Sequence, residues 1–394
     1  MGHFHPWFGA LPGVVHLLPI DGPTAAHTMT LFQEAIAHAQ AHEVAWTRDP
    51  HAEPLRYGVH HDDPPPWNRL HGPVHARGPV SGQIWIAGQL RQSWGEPERA
   101  DQTFSVAKTY LALLAGVAHG RGLLPDPDEP VVQRVPGMGF DSEHNRPITW
   151  AHLLGQTSEW EGSCFGIPDQ VDRYRKLALD PKPVQGQKGD ARPLQTPGTY
   201  WEYNDVRINQ LSLALLHLFG QALPEVFVQS ILHPIGGGKG FRWEGYEQSW
   251  VDLPAINGQA PQRVASVPGG SHWGGGVCIS TTDQARIAQL VLQHGQWAVD
   301  GQPRSLVPSA WLARMRQPQA LAPFYGWLNW LNPQGEAFPG ASAQSQFMFG
   351  AGGNYVWIEP AHQAVVVVRW IEPAHFPGFV SRMARALAEF TGGR

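Results

Sequence analysis

Cysteine is nearly absent from this 394-residue chain: Cys164 and Cys278 are the only two. They form no C-x-x-C pair, so a disulfide framework is excluded and two buried free thiols in a reducing compartment are expected. Lysine is also scarce, with five residues against 23 arginines. No apolar run approaches the roughly 20 residues of a membrane span. The opening stretch "MGHFHPWFGALPGVVHLLPIDGP" lacks the basic start and unbroken apolar core of a signal peptide, so a cytoplasmic protein is expected. Charge of one sign is lacking too: the formal net charge is -5 and no long basic run occurs. Nucleic acid and anionic membranes are therefore poor partners, and a small-molecule substrate is the better expectation. There are no internal repeats and no low-complexity tracts.

Apolar residues make up 42% of the chain, enough for a sizeable core in two structural units. The 17 tryptophans and 44 glycines are unusual. Aromatics line clefts as well as cores, so composition does not separate those uses.

Periodicity supplies a coarse map. "AAHTMTLFQEAIAHAQAHEVAW" has helical spacing. The proline-broken "HHDDPPPWNRLHGPVHARGP" is loop. "GQIWIAGQLRQSWG" predicts a pair of strands. "INQLSLALLHLFG" and "TTDQARIAQLVLQHG" predict helices, "NYVWIEPAHQAVVVVRW" a strand, turn and buried strand, and "GFVSRMARALAEFTGG" a closing amphipathic helix. Strands near both ends and a helical middle imply a sheet domain from residues 1–115 and 277–394. A mainly helical domain with long loops, 116–276, is inserted between them.

Within "FSVAKTYLALL", Ser105 and Lys108 stand at the start of an apolar helix. A cation is disfavoured in a first helical turn, where unpaired N–H groups carry partial positive charge. Three residues apart, the two side chains share one face. A neutral lysine amine there takes a serine proton, provided burial or positive neighbours favour the neutral form. The competing reading is a serine N-cap followed by a solvated lysine. In "TPGTYWEYNDVRINQLSLALL", Tyr203 lies at a helix entrance where its phenol reaches a cleft, and Asp205 is placed to cap the helix. Alone, Tyr203 reads first as an ordinary packing tyrosine. In "FMFGAGGNYVWIEP", Gly350, Gly352 and Gly353 precede an apolar strand, marking close approach of another backbone or a ligand. A backbone N–H there pairs with that of Ser105 to hold an oxyanion, unless the glycines serve only a turn or bulge.

Taken together, "SVAK", "PGTYWEYND", "GGGVCISTTDQARIAQLVL" and "GAGGNYVWIEP" resemble the serine hydrolases of the β-lactamase superfamily, over roughly residue 82 to the C-terminus. The most similar branch is class C-like, with family VIII carboxylesterases and 6-aminohexanoate-dimer hydrolases. "LLGQTSEWEG" loosely occupies the place of that family's "LLSHTSG"-like stretch. The resemblance implies an α+β fold, an antiparallel β-sheet flanked by helices with an inserted all-helical domain. It implies Ser105 as nucleophile, Lys108 as its proton partner and Tyr203 as a second acid/base group. The N–H groups of Ser105 and Ala351 would form the oxyanion hole, and Asp205, Gly350 and Gly352 would lie against substrate. Which of Lys108 and Tyr203 takes the serine proton stays open.

Two departures bear on substrate. The Y-x-N-like triplet ends in Asp205, and the motif usually written K-T-G or H-x-G reads Gly350-Ala351-Gly352, without a cation. Both argue for a neutral ester, or an amide, over a β-lactam. Arg207, two residues beyond Asp205, is placed to neutralise it. The expected activity is ester or amide hydrolysis through an acyl-serine, with no metal or organic cofactor. The alternatives are a β-lactamase or D-alanyl-D-alanine peptidase, and a non-catalytic binding protein of the same fold. His38 and His42 lack the glutamate of H-E-x-x-H, "HHDD" sits in a proline-rich loop, and "GGGKG" lacks a phosphate loop's Ser/Thr. None of these is taken as a site.

Overall fold

The run "AVVVVR" at Ala364–Arg369 is buried along its whole length, as expected of a strand covered on both faces. In this computed structural model, which describes residues 23–53, 56–177, 179–183, 185–254 and 260–392, it is an inner strand of a six-stranded antiparallel sheet. The strands run, edge to edge, Trp330–Leu331, Gln346–Gly350, Asn354–Glu359, Ala364–Arg369, Ser81–Ile86 and Gln89–Trp94. The sheet thus combines segments from before Ser105 and from the last quarter of the chain. Residues 1–22 of the opening stretch read for a leader lie outside the described residues.

Strand periodicity separates two cores. Val365 and Val367 face one, while Val366 and Val368 face the other. The first core is capped by the Val106–Gly120 and Thr281–Leu292 helices and continues into the middle of the chain through the Asp205–Phe219 helix. The second is closed by the Pro23–Ala41 and Phe376–Gly392 helices, which pack on each other. Among the described residues no single helix is long and apolar enough to cross a membrane. Both cysteines are free and buried.

Local signals set the helix ends. Ser280 caps Thr281–Leu292 by accepting the Asp283 N–H at 3.0 Å. Asp205–Phe219 stops at Gly220, whose φ of 63° suits glycine. Its cap falls on Asn204, which accepts the Arg207 N–H at 3.1 Å, and not on Asp205, as the sequence suggested. Asp205 is thereby freed for other partners.

A smaller sheet of Asp101–Gln102, Gly276–Ile279 and Arg242–Glu244 leads the chain to Ser105. Buried Arg369 joins it to the large sheet. Its guanidinium donates to the carbonyls of Asp101, Gln102 and Ile279 at 2.9, 2.6 and 2.6 Å. A charged group so far from water persists only when its donors are met, as they are here.

Candidate active site

Ser105 occupies the N-cap position of Val106–Gly120 with φ −71° and ψ −2°, yet its side chain makes no capping bond. It accepts a hydrogen bond from Lys108 Nζ at 2.8 Å. Lys108 is 1% exposed, which removes the reading of a capping serine beside a solvated lysine. Phe104, just before it, has φ +52°, a conformation that costs a bulky residue about 1–3 kcal/mol and persists only where packing imposes it. Trp46, Tyr57 and Trp370 surround its ring at 5.4, 6.0 and 6.3 Å and hold the turn.

Asp205 forms an ion pair with Lys108, and it accepts from Arg175 Nη1 at 2.8 Å and His272 Nδ1 at 3.0 Å. The sequence suggested that burial would favour a neutral lysine. Burial does pull the Lys108 pKa down, but Asp205 outweighs it and holds the ammonium above its ordinary value. Conversely, burial would raise the Asp205 pKa, and Lys108 and Arg175 keep it well below the usual carboxylate range. Arg175, not Arg207, answers the Asp205 charge. Arg207 is engaged with Glu159, Asp169 and Glu202 at 2.8, 3.2 and 3.3 Å.

Beyond Asp205 the polar network continues inward. His272 Nε2 lies 2.9 Å from Asp63 Oδ2 and 3.4 Å from Lys188 Nζ, and Lys188 pairs with both Asp63 and Asp172. Burial pushes the His272 pKa down, and a neutral ring donates from one nitrogen only. With Nδ1–H on Asp205, Nε2 faces Asp63 Oδ2 without a proton between them, and the Lys188 ammonium beside both offsets that repulsion.

Tyr203 stands against the pair. The Lys108 ammonium lies 4.8 Å and the Arg175 guanidinium 5.1 Å from the centre of its ring. Its ring stacks on Trp330 at 5.7 Å and meets Tyr325 edge-on at 6.3 Å. Together with Tyr174, Arg175, Lys182, Tyr200 and Trp201 it lines a cleft of about 210 Å³. Trp330 continues the aromatic wall to Phe349 at 5.3 Å, beside the glycine motif.

That motif closes the site from the sheet side. A methyl group on Gly350 would fall 2.1 Å from the Thr103 carbonyl, so the strand end rests on the backbone two residues before Ser105. Gly352 and Gly353 have φ of 70° and 74°, and a side chain on Gly353 would strike the Ile371 carbonyl at 1.6 Å. Asn354 Nδ2 donates to the Ala351 carbonyl at 2.8 Å and fixes the turn. Among the described residues, neither the Ser105 N–H nor the Ala351 N–H has a hydrogen-bond partner. Gly270 covers the other side, where a methyl group would lie 3.1 Å from Lys108 Nζ and 3.2 Å from Ser105 Oγ.

The structure therefore brings Ser105, Lys108, Tyr203 and Asp205 together and seats Gly350 and Ala351 beside them. Sequence reasoning missed Arg175, Gly270, His272, Asn354 and Arg369. "PGGSHWGGGVC" was the available signal for Gly270 and His272.

The chain belongs to the β-lactamase family: the family model for beta-lactamase matches residues 92–381. Among solved structures it is similar to EstCE1, described as a hydrolase with promiscuous acyltransferase activity. That likeness is 17% identical over 92% of this chain and 98% of that one, with a TM-score of 0.55. It is also similar to simvastatin synthase LovD from Aspergillus terreus, at 14% identity, 95% and 100% coverage and a TM-score of 0.55. A D-stereospecific amidohydrolase from Streptomyces matches at 17% identity over 79% of this chain and 94% of that one, with a TM-score of 0.51. No curated protein matches. At these identities the structural likeness establishes the β-lactamase-like fold.

Proposed function

We propose that this chain hydrolyses a neutral ester, or an amide, through an acyl-Ser105 intermediate. The observation that carries the reading is the 2.8 Å bond from Lys108 Nζ to a Ser105 Oγ that leaves its own helix uncapped. A nucleophile beside a charged partner, itself oriented by a third group, is the recurring arrangement of covalent catalysis. Here the third group is Asp205.

Because Asp205 keeps Lys108 an ammonium, Lys108 acts as a donor that stabilises negative charge on Ser105 Oγ. Tyr203 is then the group left to receive the serine proton, a step that draws on its phenolate form beside the Lys108 and Arg175 cations. Ser105 Oγ attacks the carbonyl carbon, and the N–H groups of Ser105 and Ala351 hold the oxygen as it becomes an oxyanion. Collapse breaks the bond to the leaving group, which takes the proton from Tyr203. Water then attacks the acyl-serine and gives its proton to Tyr203, which returns one to Ser105. The rings of Tyr174, Tyr200, Trp201 and Tyr203 that line the cleft suit an apolar substituent.

The test is labelling with a fluorophosphonate, read by intact mass and peptide mapping, alongside turnover of a short p-nitrophenyl ester. Label on Ser105 alone, with turnover lost in Ser105→Ala and lowered roughly 10²-fold in Tyr203→Phe, supports the reading. Label that persists in Ser105→Ala overturns it.

A further inference from the structure

We propose that His38, His42 and His375 form a binding site for one zinc ion, outside the Ser105 site and joining the two ends of the described fold. One ring nitrogen from each of the three lies within 4.8 Å of the other two. Zinc–nitrogen bonds of about 2.0–2.1 Å place tetrahedral ligands roughly 3.3 Å apart. All three rings are partly exposed, so small side-chain rotations close the remaining gap and water reaches the fourth position.

The backbone presents these ligands. His38 stands in the last turn of Pro23–Ala41, and His42 follows four residues on, just past the helix end. His375 ends a single turn, Pro373–His375, that leads into Phe376–Gly392. Two main-chain contacts pin the segments together: Glu372 N–H donates to the His42 carbonyl at 2.8 Å, and Glu43 bridges Ile371. The third histidine is therefore placed by the fold.

The hydrogen bonds at the rings are those that prepare imidazoles for a metal. His42 Nδ1 donates to the His38 carbonyl at 2.7 Å, and His38 Nε2 donates to the His375 carbonyl at 3.1 Å. Each bond to a carbonyl fixes a tautomer and leaves the other ring nitrogen with its lone pair. The rings of His42 and His375 stack 3.6 Å apart at 22°, so one of these partly exposed rings turns about its side-chain bonds for both lone pairs to converge on one ion. Arg382, whose Nη1 donates to the Gly378 carbonyl beside His38, is the nearby cation. Three imidazoles without a carboxylate select zinc, copper or nickel over magnesium or calcium.

The experiment is zinc binding to the full chain after treatment with a chelator, by calorimetry and native mass spectrometry. Cobalt serves as a visible-absorption probe of the same ligands. Wild type should bind one zinc per chain, and His42→Ala and His375→Ala should each weaken binding at least tenfold. Thermal unfolding separates binding from misfolding. In chelator the three proteins should unfold within a few degrees of one another, and only wild type should gain several degrees on adding zinc. The proposal is overturned if wild type takes up no zinc at micromolar concentrations. It is equally overturned if both variants bind as tightly as wild type, which would place the ion elsewhere. These readouts do not depend on turnover at Ser105, so this site and the hydrolase reading stand or fall separately.

Discussion

Arg369 Nε donates to Asn354 Oδ1 at 2.9 Å, and this bond joins the two backbone segments that meet at Ser105. The same guanidinium holds the carbonyls of Asp101 and Gln102, just before the nucleophile. The same amide holds the carbonyl of Ala351, whose N–H faces no protein acceptor. One buried network thus sets the spacing between the N–H groups of Ser105 and Ala351.

Asn354→Ala should accordingly lower kcat by roughly tenfold with KM little changed, because loosening an oxyanion donor acts on the transition state. Steady-state kinetics on one neutral ester decide it. A rise in KM at constant kcat would assign Asn354 to substrate binding instead.

The motifs at Ser105, Tyr203 and Gly350 were legible because each carries its signal within a few residues. A lysine in a first helical turn, a tyrosine at a helix entrance and glycines before a strand are local anomalies. Strands at "GQIWIAGQLRQSWG" and "NYVWIEPAHQAVVVVRW" were legible for the same reason, since periodicity is local. The protonation state of Lys108 was not. It depends on Asp205, 97 positions away, and Asp205 in turn on Arg175 and His272. Charge partners brought together by tertiary structure leave no mark on spacing. His375 illustrates the same limit: "HAQAH" shows two of three clustered imidazoles, and the third enters 333 residues after His42.

Asp205→Asn tests the ammonium assignment. Removing the carboxylate leaves burial, the largest influence, and Arg175 driving the Lys108 pKa down, opposed only by Tyr203. If the charged lysine is the working form, the alkaline limb of the kcat/KM profile should move toward lower pH by about a unit or more. Activity that instead rises as Lys108 loses its proton would make the neutral amine the base, and Tyr203 would lose that role.

Glu159 should govern acid stability. Burial alone would raise its pKa, but hydrogen bonds from Arg192 and the charge of Arg207 bring it from 4.5 to about 2. A depressed carboxylate pKa stabilises the fold above the unfolded value, and that contribution is lost as pH falls through the folded one. Here the window is pH 4.5 to 2, and the contribution is about 3 kcal/mol. Urea unfolding across that range should show a shallower pH dependence in Glu159→Gln than in wild type. Equal slopes would place the acid-sensitive groups elsewhere.

The last expectation concerns the charge of the substrate. Gly350-Ala351-Gly352 offers backbone donors and no side-chain cation, so a β-lactam carboxylate entering there would lose solvation without a partner. A carboxylate two residues beyond Tyr203 would, if free, attract an ammonium group on a substrate. In the fold that carboxylate is already met by Lys108, Arg175 and His272 and is 3% exposed, so it has no attraction left to offer. Arg175 is matched in turn by Asp172 and Asp205. Beside Arg175, the cleft is lined by the aromatic rings of Tyr174, Tyr200, Trp201 and Tyr203 and by Asp180, Lys182 and Glu202, whose charges are of mixed sign, and Tyr325 and Trp330 back the aromatic side. Neutral esters with an apolar or aromatic substituent should therefore exceed nitrocefin in kcat/KM by roughly 10²-fold or more. An ester carrying an ammonium group should do no better than its neutral isostere. Measurement of all three classes on one preparation decides both points. A clear preference for the ammonium ester would mean that Asp205 reaches substrate after all, and nitrocefin as the best substrate would replace the esterase reading with a β-lactamase.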